Sequence, residues 1–383
     1  MKVLEKRQVE DEKLRLMVFE SALELGKKVD KHLLKMYGLD SSKYTFMLPI
    51  KEIFFEDGHL KVEIGETVRA KNVFALTDIG NYSITYNMHG FENHASPNDL
   101  MTQLKDGIGA CNMHAGQINV IMPLLYNGRQ HRRNTRECLS CGAMLHELDS
   151  IQSIRSFITF DAHDQGVEHA VHRMEFDNFF PTNEMLANFI EDADKEELRK
   201  VVFVAPDNGA TGRRNVYLNS FASSFIHREA GSFYKQRDYN NLVDGKYPVV
   251  AHDYCGNENL DGYTAVISDD MISSGGSMLD TVLELKKRGV KHVYVFVTYA
   301  LFTRGIDKFV EFADSNLIDG IYTTNLSYIP NDYKKYKWLH ICDCSKLVAE
   351  IIYNLYNNLS ISKILTDKSK PIELLNKKFD SNK

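Results

Sequence analysis

Short runs of Val, Ile and Phe recur along the chain, and between them lie longer stretches whose apolar residues return every three or four positions. Runs without polar alternation are the pattern of strands covered on both faces, and the three-to-four spacing is that of helices. The runs predict strands at 73–77, 118–123, 157–161, 201–205, 264–268, 292–298 and 320–324. The spaced stretches predict helices at 98–114, 141–149, 183–197, 277–288 and 345–357. Strand and helix in alternation imply parallel sheets with right-handed crossovers. The break between halves is expected near 177–181. Two stretches do not fit. Residues 228–262 are polar, rich in Gly, Asn and Tyr, and aperiodic, as functional or disordered loops are. The tail 366–383 reads as disordered.

Composition narrows the picture without changing it. A chain of 383 residues, 43% hydrophobic, fits two domains, each with a sizeable core. The net charge of −6 argues against a broad nucleic-acid footprint. No apolar run approaches the ~20 residues of a membrane span. The first residues mix both charge signs and lack the apolar core of a signal peptide, so the expected location is the cytoplasm. Six cysteines are too few for a disulfide scaffold. The pairs Cys138/Cys141 and Cys342/Cys344 lack the second pair a zinc site needs, and read as buried or helix-start thiols.

The densest chemistry lies at 265–277, Ala-Val-Ile-Ser-Asp-Asp-Met-Ile-Ser-Ser-Gly-Gly-Ser. An apolar strand delivers Asp269 and Asp270 to its C-terminal edge, where open α/β sheets bind ligands. Ser273, Ser274, Gly275, Gly276 and Ser277 then lead into a helix. Glycines let several backbone N–H groups face one anion, and the helix N-terminus favours phosphate. Adjacent carboxylates suit vicinal hydroxyls, alone or with a cation. A plain turn with a capping serine would explain a lone Gly-Gly, but not this whole order of residue types. The segment therefore reads as a cradle for a phosphorylated sugar.

It resembles the ribose-phosphate loop of the phosphoribosyltransferase-like fold, which phosphoribosyltransferases share with ribose-phosphate pyrophosphokinases. Four more segments resemble the pyrophosphokinase family in its order. Phe55-Glu56-Asp57-Gly58-His59 is similar to the family's F-x-D-G-E, which reaches the ATP base across a subunit boundary; His59 stands where Glu is usual. Tyr126-Asn127-Gly128-Arg129-Gln130-His131 is similar to Y-A-R-Q-D, which holds adenine and phosphates; His131 stands where Asp is usual. Asp161-Ala162-His163-Asp164 is similar to D-L-H-A, which reaches the ATP phosphates and magnesium. The run that follows ends at Asp177, which matches the family's final Asp; the earlier metal-linked Asp is absent near Arg173. Pro206-Asp207-Asn208-Gly209-Ala210 through Arg213 is similar to P-D-x-G-G-x-x-R, with Ala210 replacing Gly. Lys235-Gln236-Arg237 matches the K-x-R of the family's flexible catalytic loop, and the residues at 246–261 exceed the usual family length.

The resemblance covers about residues 16–365 and implies an α/β fold of two phosphoribosyltransferase-like domains, each a mainly parallel sheet flanked by helices. The ATP-side domain would be 15–180, completed by a helix at 344–362, and the ribose 5-phosphate side 181–343. It implies transfer of the pyrophosphoryl group of ATP to the C1 hydroxyl of ribose 5-phosphate with Mg²⁺. Phe55, Asp57, His59, Arg129, Gln130 and His163 would bind ATP. Asp161, His163, Asp177 and Asp207 would lie on the magnesium side. Asp269 and Asp270 would hold the ribose hydroxyls, and 273–277 the 5-phosphate, with Arg213 supporting the site. Lys235, Arg237 and His163 would act in catalysis. A homo-oligomer, dimer or hexamer, is implied, with no nucleic acid or membrane partner. Two alternatives remain at this point: a phosphoribosyltransferase, and a catalytically silent regulatory homologue, kept open by His59, His131, Ala210 and Arg173.

Overall fold

The computed structural model describes residues 13–112, 114–133, 135–237 and 249–380, with only the backbone for 7–8, 235–237 and 249–252. The chain forms two units. The first takes the chain up to Phe180 together with Asn325–Tyr328 and Asp343–Thr366; the second takes Pro181–Thr324, Ile329–Cys342 and the chain from Asp367 on.

The sheet of the first unit contains β1 (Leu14–Val18), β2 (Asn72–Leu76), β3 (Gln117–Ile121), β4 (Ile154–Phe160) and β5 (Glu175–Phe179). All neighbours are parallel, in the order β5-β4-β3-β2-β1. Val73, Ala75, Ile118, Val120 and Phe157 pack against Leu104, Ile108, Leu145 and Leu148 of helices Pro97–Asn112 and Ser140–Asp149. Burying each such side chain contributes roughly 1.5–3 kcal/mol before the entropy of ordering is subtracted. Helices Leu23–Met36 and Ser345–Tyr356 pack on each other. A polar anchor holds the short segment 325–328 to this unit. The buried carboxylate of Asp78 accepts from Ser327 Oγ at 2.9 Å, from the Tyr328 N–H at 2.7 Å and from the Gly80 N–H at 2.9 Å. Burial pushes its pKa up to about 6 against the pull of those donors.

The sheet of the second unit contains β6 (Lys200–Ala205), β7 (His227–Arg237), β8 (Val249–Cys255), β9 (Thr264–Ile272), β10 (His292–Ala300), β11 (Gly320–Thr324) and β12 (Leu339–Cys342). Its order is β8-β7-β6-β9-β10-β11-β12, with β7 and β8 antiparallel and the rest parallel. Both faces are covered. Val202, Val204, Ala265, Ile267 and Val295 meet Leu279, Val282 and Leu285 of helix Gly276–Lys287, while Val201, Phe203, Val266 and Phe296 meet Leu186, Phe189 and Phe221. Residues of opposite parity thus feed opposite cores, which is why these strands read as unbroken apolar runs.

Three expectations change. Residues 369–380 do not fray: Ser369–Asp380 is an amphipathic helix whose Leu375 is fully buried beside Leu186 and Phe189. Lys378 Nζ also reaches the carbonyls of Ile190, Glu191 and Ala193, the C-terminal end of helix Thr182–Asp192. The stretch 228–262 is not one long loop: β7 and β8 form an antiparallel pair within it, and 238–248 lies outside the described residues. The strand expected at 264–268 runs on to Ile272, so Asp269 and Asp270 lie within it.

Candidate active site

In the second unit the chain leaves β6, builds β7 on one side and returns to place β9 on the other. This reversal is where open sheets bind ligands. Asp207 follows the end of β6; Asp269 and Asp270 occupy the last part of β9. The three carboxylates are close enough to interact. Burial, then Asp270, then Asp207 push the Asp269 pKa well above its usual range, and the Arg213 guanidinium opposes them. Asp270 and Arg213 are buried. The Pro206–Ala210 turn aims Asp207 by having its Oδ1 accept the Ala210 N–H at 3.1 Å.

After β9 the cradle closes over Ser273 and Ser274. Gly275 caps the following helix with φ +81°, a left-handed conformation that side chains rarely adopt. A Cβ there would also stand 2.5 Å from the Phe309 ring. At Gly276 a Cβ would meet no described atom within 4 Å, so the space above the first helical turn is open. The cap residue Gly275 has no side chain to cap the helix start, and such a helix N-terminus favours an anion. Beside the cradle a cavity of about 230 Å³ is lined by Ser274, Gly276, Arg304 and Lys308 among others. Arg304 and Lys308 were not singled out from sequence, because isolated cations in a loop and an exposed helix carry no pattern.

In the first unit two loops at the C-terminal ends of β3 and β4 carry the remaining candidates. After β3 the chain turns at Asn127 (φ +51°), and Arg129 and Gln130 are exposed. After β4, Asp161 is buried and held at φ +45°, with its N–H donating to the Phe179 carbonyl at 2.8 Å. This strained turn aims His163 and Asp164. His131 of the first loop meets both: its ring lies 5.4 Å from that of His163, and its Nε2 lies 3.3 Å from Asp164 Oδ2.

Asp177 is not brought to this edge. It pairs across from Ile158, three residues short of Asp161, a gap of ~10 Å along the strand. Burial and the charge of Glu175 push its pKa up to about 6. Arg173, where the family's earlier aspartate was missed, is committed elsewhere. Its guanidinium donates to the carbonyls of Asp149, Ile151 and Gln152 at the C-terminal end of helix Ser140–Asp149. Phe55, Asp57 and His59 form the exposed tip of a hairpin between strands Ile50–Phe54 and Leu60–Ile64. There the Asp57 carboxylate accepts the His59 N–H at 3.1 Å, which holds its pKa below the usual range. Lys235 and Arg237 lie on β7, not in an open loop, with backbones opposite His252 and Val249. Among the described residues no group of three or more His, Cys, Asp or Glu side chains forms a ready metal cage.

A parallel sheet that presents paired carboxylates and an uncapped, glycine-started helix at its reversal, joined in one chain to a second sheet of related build, defines a two-domain phosphoribosyl-binding protein. The comparisons make that class specific. Residues 14–151 match the N-terminal domain of ribose phosphate pyrophosphokinase, and 254–366 match the phosphoribosyl synthetase-associated domain. The chain is 25% identical over 324 residues to the ribose-phosphate pyrophosphokinase of Mycoplasmopsis pulmonis, covering 82% of this chain and 88% of that one. It is 24% identical over 361 residues to that of Gloeobacter violaceus, covering 92% and 93%. In fold it is similar to phosphoribosylpyrophosphate synthetase from Mycobacterium smegmatis, with a TM-score of 0.67 at 19% identity over 90% of this chain and 99% of that one. The chain belongs to the ribose-phosphate pyrophosphokinase family, and its fold is two phosphoribosyltransferase-like domains.

Proposed function

We propose that this chain is a ribose-phosphate diphosphokinase that converts ATP and ribose 5-phosphate into AMP and 5-phosphoribosyl 1-diphosphate for nucleotide synthesis. The observation that carries the reading is the cradle at the reversal of the second sheet, in a chain of that family. The open helix start and the hydroxyls of 273–277 suit the 5-phosphate, and Asp269 with Asp270 suits the ribose hydroxyls. The C1 hydroxyl attacks the β-phosphorus. A C1–O–P bond forms, the bond from the β-phosphorus to the oxygen bridging to the α-phosphate breaks, and the hydroxyl proton passes to solvent. Little covalent work falls to the protein, so positioning and charge stabilisation supply most of the rate.

Arg129 and Gln130 are assigned to adenine, His163 to the β- and γ-phosphates, and Lys235 and Arg237 to the charge that develops in transfer. Magnesium fits the oxygen donor of Asp207 beside Asp269, because a divalent cation relieves the repulsion that raises Asp269, and Mg²⁺ completes its shell with water and substrate oxygens; Asp161 of the first unit is assigned to magnesium on the family resemblance alone. When bound it neutralises the phosphate oxygens. Asp177, mid-strand, is left out of that set. The exposed tip carrying Phe55, Asp57 and His59 suits a base bound by a neighbouring copy, which implies a dimer or hexamer. Among the described residues no helix is long and apolar enough to cross a membrane, and the proposed location is the cytoplasm.

The deciding experiment supplies ATP, ribose 5-phosphate and Mg²⁺ and follows AMP. Its absence from folded protein at every phosphate level tested would overturn the assignment. The regulatory reading, favoured by the commitment of Arg173 to a helix end, requires that null result together with ATP binding. Lys235→Ala is expected to lower turnover far more than ATP affinity; equal losses in both would count against its transition-state role.

A further inference from the structure

Two positions at which this chain departs from the family's motifs meet in space. The motif after β3 carries Asp where this chain has His131, and the motif after β4 carries Ala where this chain has Asp164. The structure puts His131 Nε2 3.3 Å from Asp164 Oδ2. The carboxylate has thus moved from one loop to the next, and an imidazole has taken its former place.

The pair is well placed to fix a geometry. The His131 side chain is 11% exposed and that of Asp164 45%. The other ring nitrogen, Nδ1, is buried and finds no hydrogen-bond partner among the described residues. Among the described residues Asp164 is therefore the only polar hold on this ring, which packs 5.4 Å from the ring of His163. Asp164 is itself pinned, because its Oδ1 accepts the Gly166 N–H at 2.7 Å and caps the short helix Gln165–Ala170. His131 follows Arg129 and Gln130 directly in sequence; Asp164 follows His163. A link between His131 and Asp164 therefore sets the distance between the loop assigned to the nucleotide base and the one assigned to its phosphates.

We propose that His131 and Asp164 form a replacement tether, a coupled pair of positioning residues that fixes the Arg129–Gln130 loop against His163 for ATP. The proposal rests on the function assigned above, and it is tested by a double-mutant cycle with two readouts. Direct ATP binding by calorimetry is measured on the full chain alongside AMP formation, using His131→Ala, Asp164→Asn and the double variant. The amide in Asp164→Asn keeps an oxygen for the Gly166 N–H, so the cap survives while the charge is lost. Each single change is expected to weaken ATP binding and raise its KM about tenfold, leave the ribose 5-phosphate KM unchanged, and be no worse when combined.

The family arrangement, His131→Asp with Asp164→Ala, is expected to recover most of the loss. His131→Asp alone, which sets two carboxylates face to face, is expected to be the worst variant. Additive losses, or losses shared equally by both substrates, would overturn the tether. So would a cycle that moves only the melting temperature. If the native chain binds ATP but forms no AMP, the assigned function fails while coupling in ATP affinity still decides the tether.

Discussion

The cradle of the second unit and the loops of the first proposed for the nucleotide are built of different materials. The cradle is made of backbone, glycine and short hydroxyl side chains, stiffened by a buried sheet and by the Phe309 ring against Gly275. The nucleotide loops depend on long or aromatic side chains, of which Arg129 and Gln130 stand exposed. A backbone site leaves few substitutions open: a Cβ at Gly275 meets the Phe309 ring, and one at Gly276 enters the space assigned to the phosphate. A side-chain site admits exchanges provided that they compensate, as His131 and Asp164 do. This contrast accounts for the family motif being nearly intact at 265–277 and altered at 126–133 and 161–177.

The contrast can be broken most directly at the glycines. Gly275→Ala is expected to cost both fold and function, with the ribose 5-phosphate KM up about a hundredfold and a lower melting temperature. Gly276→Ala meets open space within the protein, so it should keep its melting temperature and lose the sugar phosphate. A Gly276→Ala enzyme with unaltered ribose 5-phosphate affinity would remove phosphate from that space. Next in size is Asp269→Asn. Burial and two like neighbours oppose charge on its carboxyl, so the uncharged amide should raise the ligand-free melting temperature by about 2–4 °C while turnover collapses. A lower melting temperature would show that the trio is not strained.

A smaller effect belongs to the first unit. Burial pushes Glu52 up to about 7 and Asp78 and Asp177 up to about 6, from ordinary values near 4. At these three groups the folded chain therefore binds more protons than the unfolded chain between about pH 4.5 and 7, and they add stability as pH falls through that window. Ligand-free melting at pH 5.5 and 8 should show the rise, and Glu52→Gln should reduce it. Smallest of all, Phe55→Ala should leave stability within ~0.5 kcal/mol, because the ring is 42% exposed, and alter only the ATP KM.

Much of this was legible from residue types alone. Strands such as Gly320–Thr324 announce themselves because both faces are buried, and the cradle because its order of residue types has few other uses. Elements without that dense signature were missed. His227–Arg237 is a strand through its pairing with β6 and β8, and its sequence mixes charges with glycine. Glu175–Phe179 is an edge strand with polar residues at three of its five positions. Helix Ser369–Asp380 looks like a solvated tail until Leu375 is seen buried, a contact between residues far apart in sequence. At the site, Asp177 matched by letter but sits in the wrong register. The His131–Asp164 link needed two loops to be superposed in space, which no single motif records.

The anchor at Asp78 has a consequence for the order in which the protein can be made. Its partners Ser327 and Tyr328, and the helix Ser345–Tyr356 that packs on Leu23–Met36, leave the ribosome long after β5. At typical elongation rates the residues from Phe180 to Thr366 take roughly ten to forty seconds to synthesise. Until then the first unit waits with the Asp78 carboxyl held by the Gly80 N–H but lacking its donors from 327–328, and with a helix face uncovered. The second unit closes later still, on Leu375. Neither half is finished early, so the chain is expected to depend on chaperone protection during translation, and nonsense mutations even close to its C-terminal end should be as damaging as early ones.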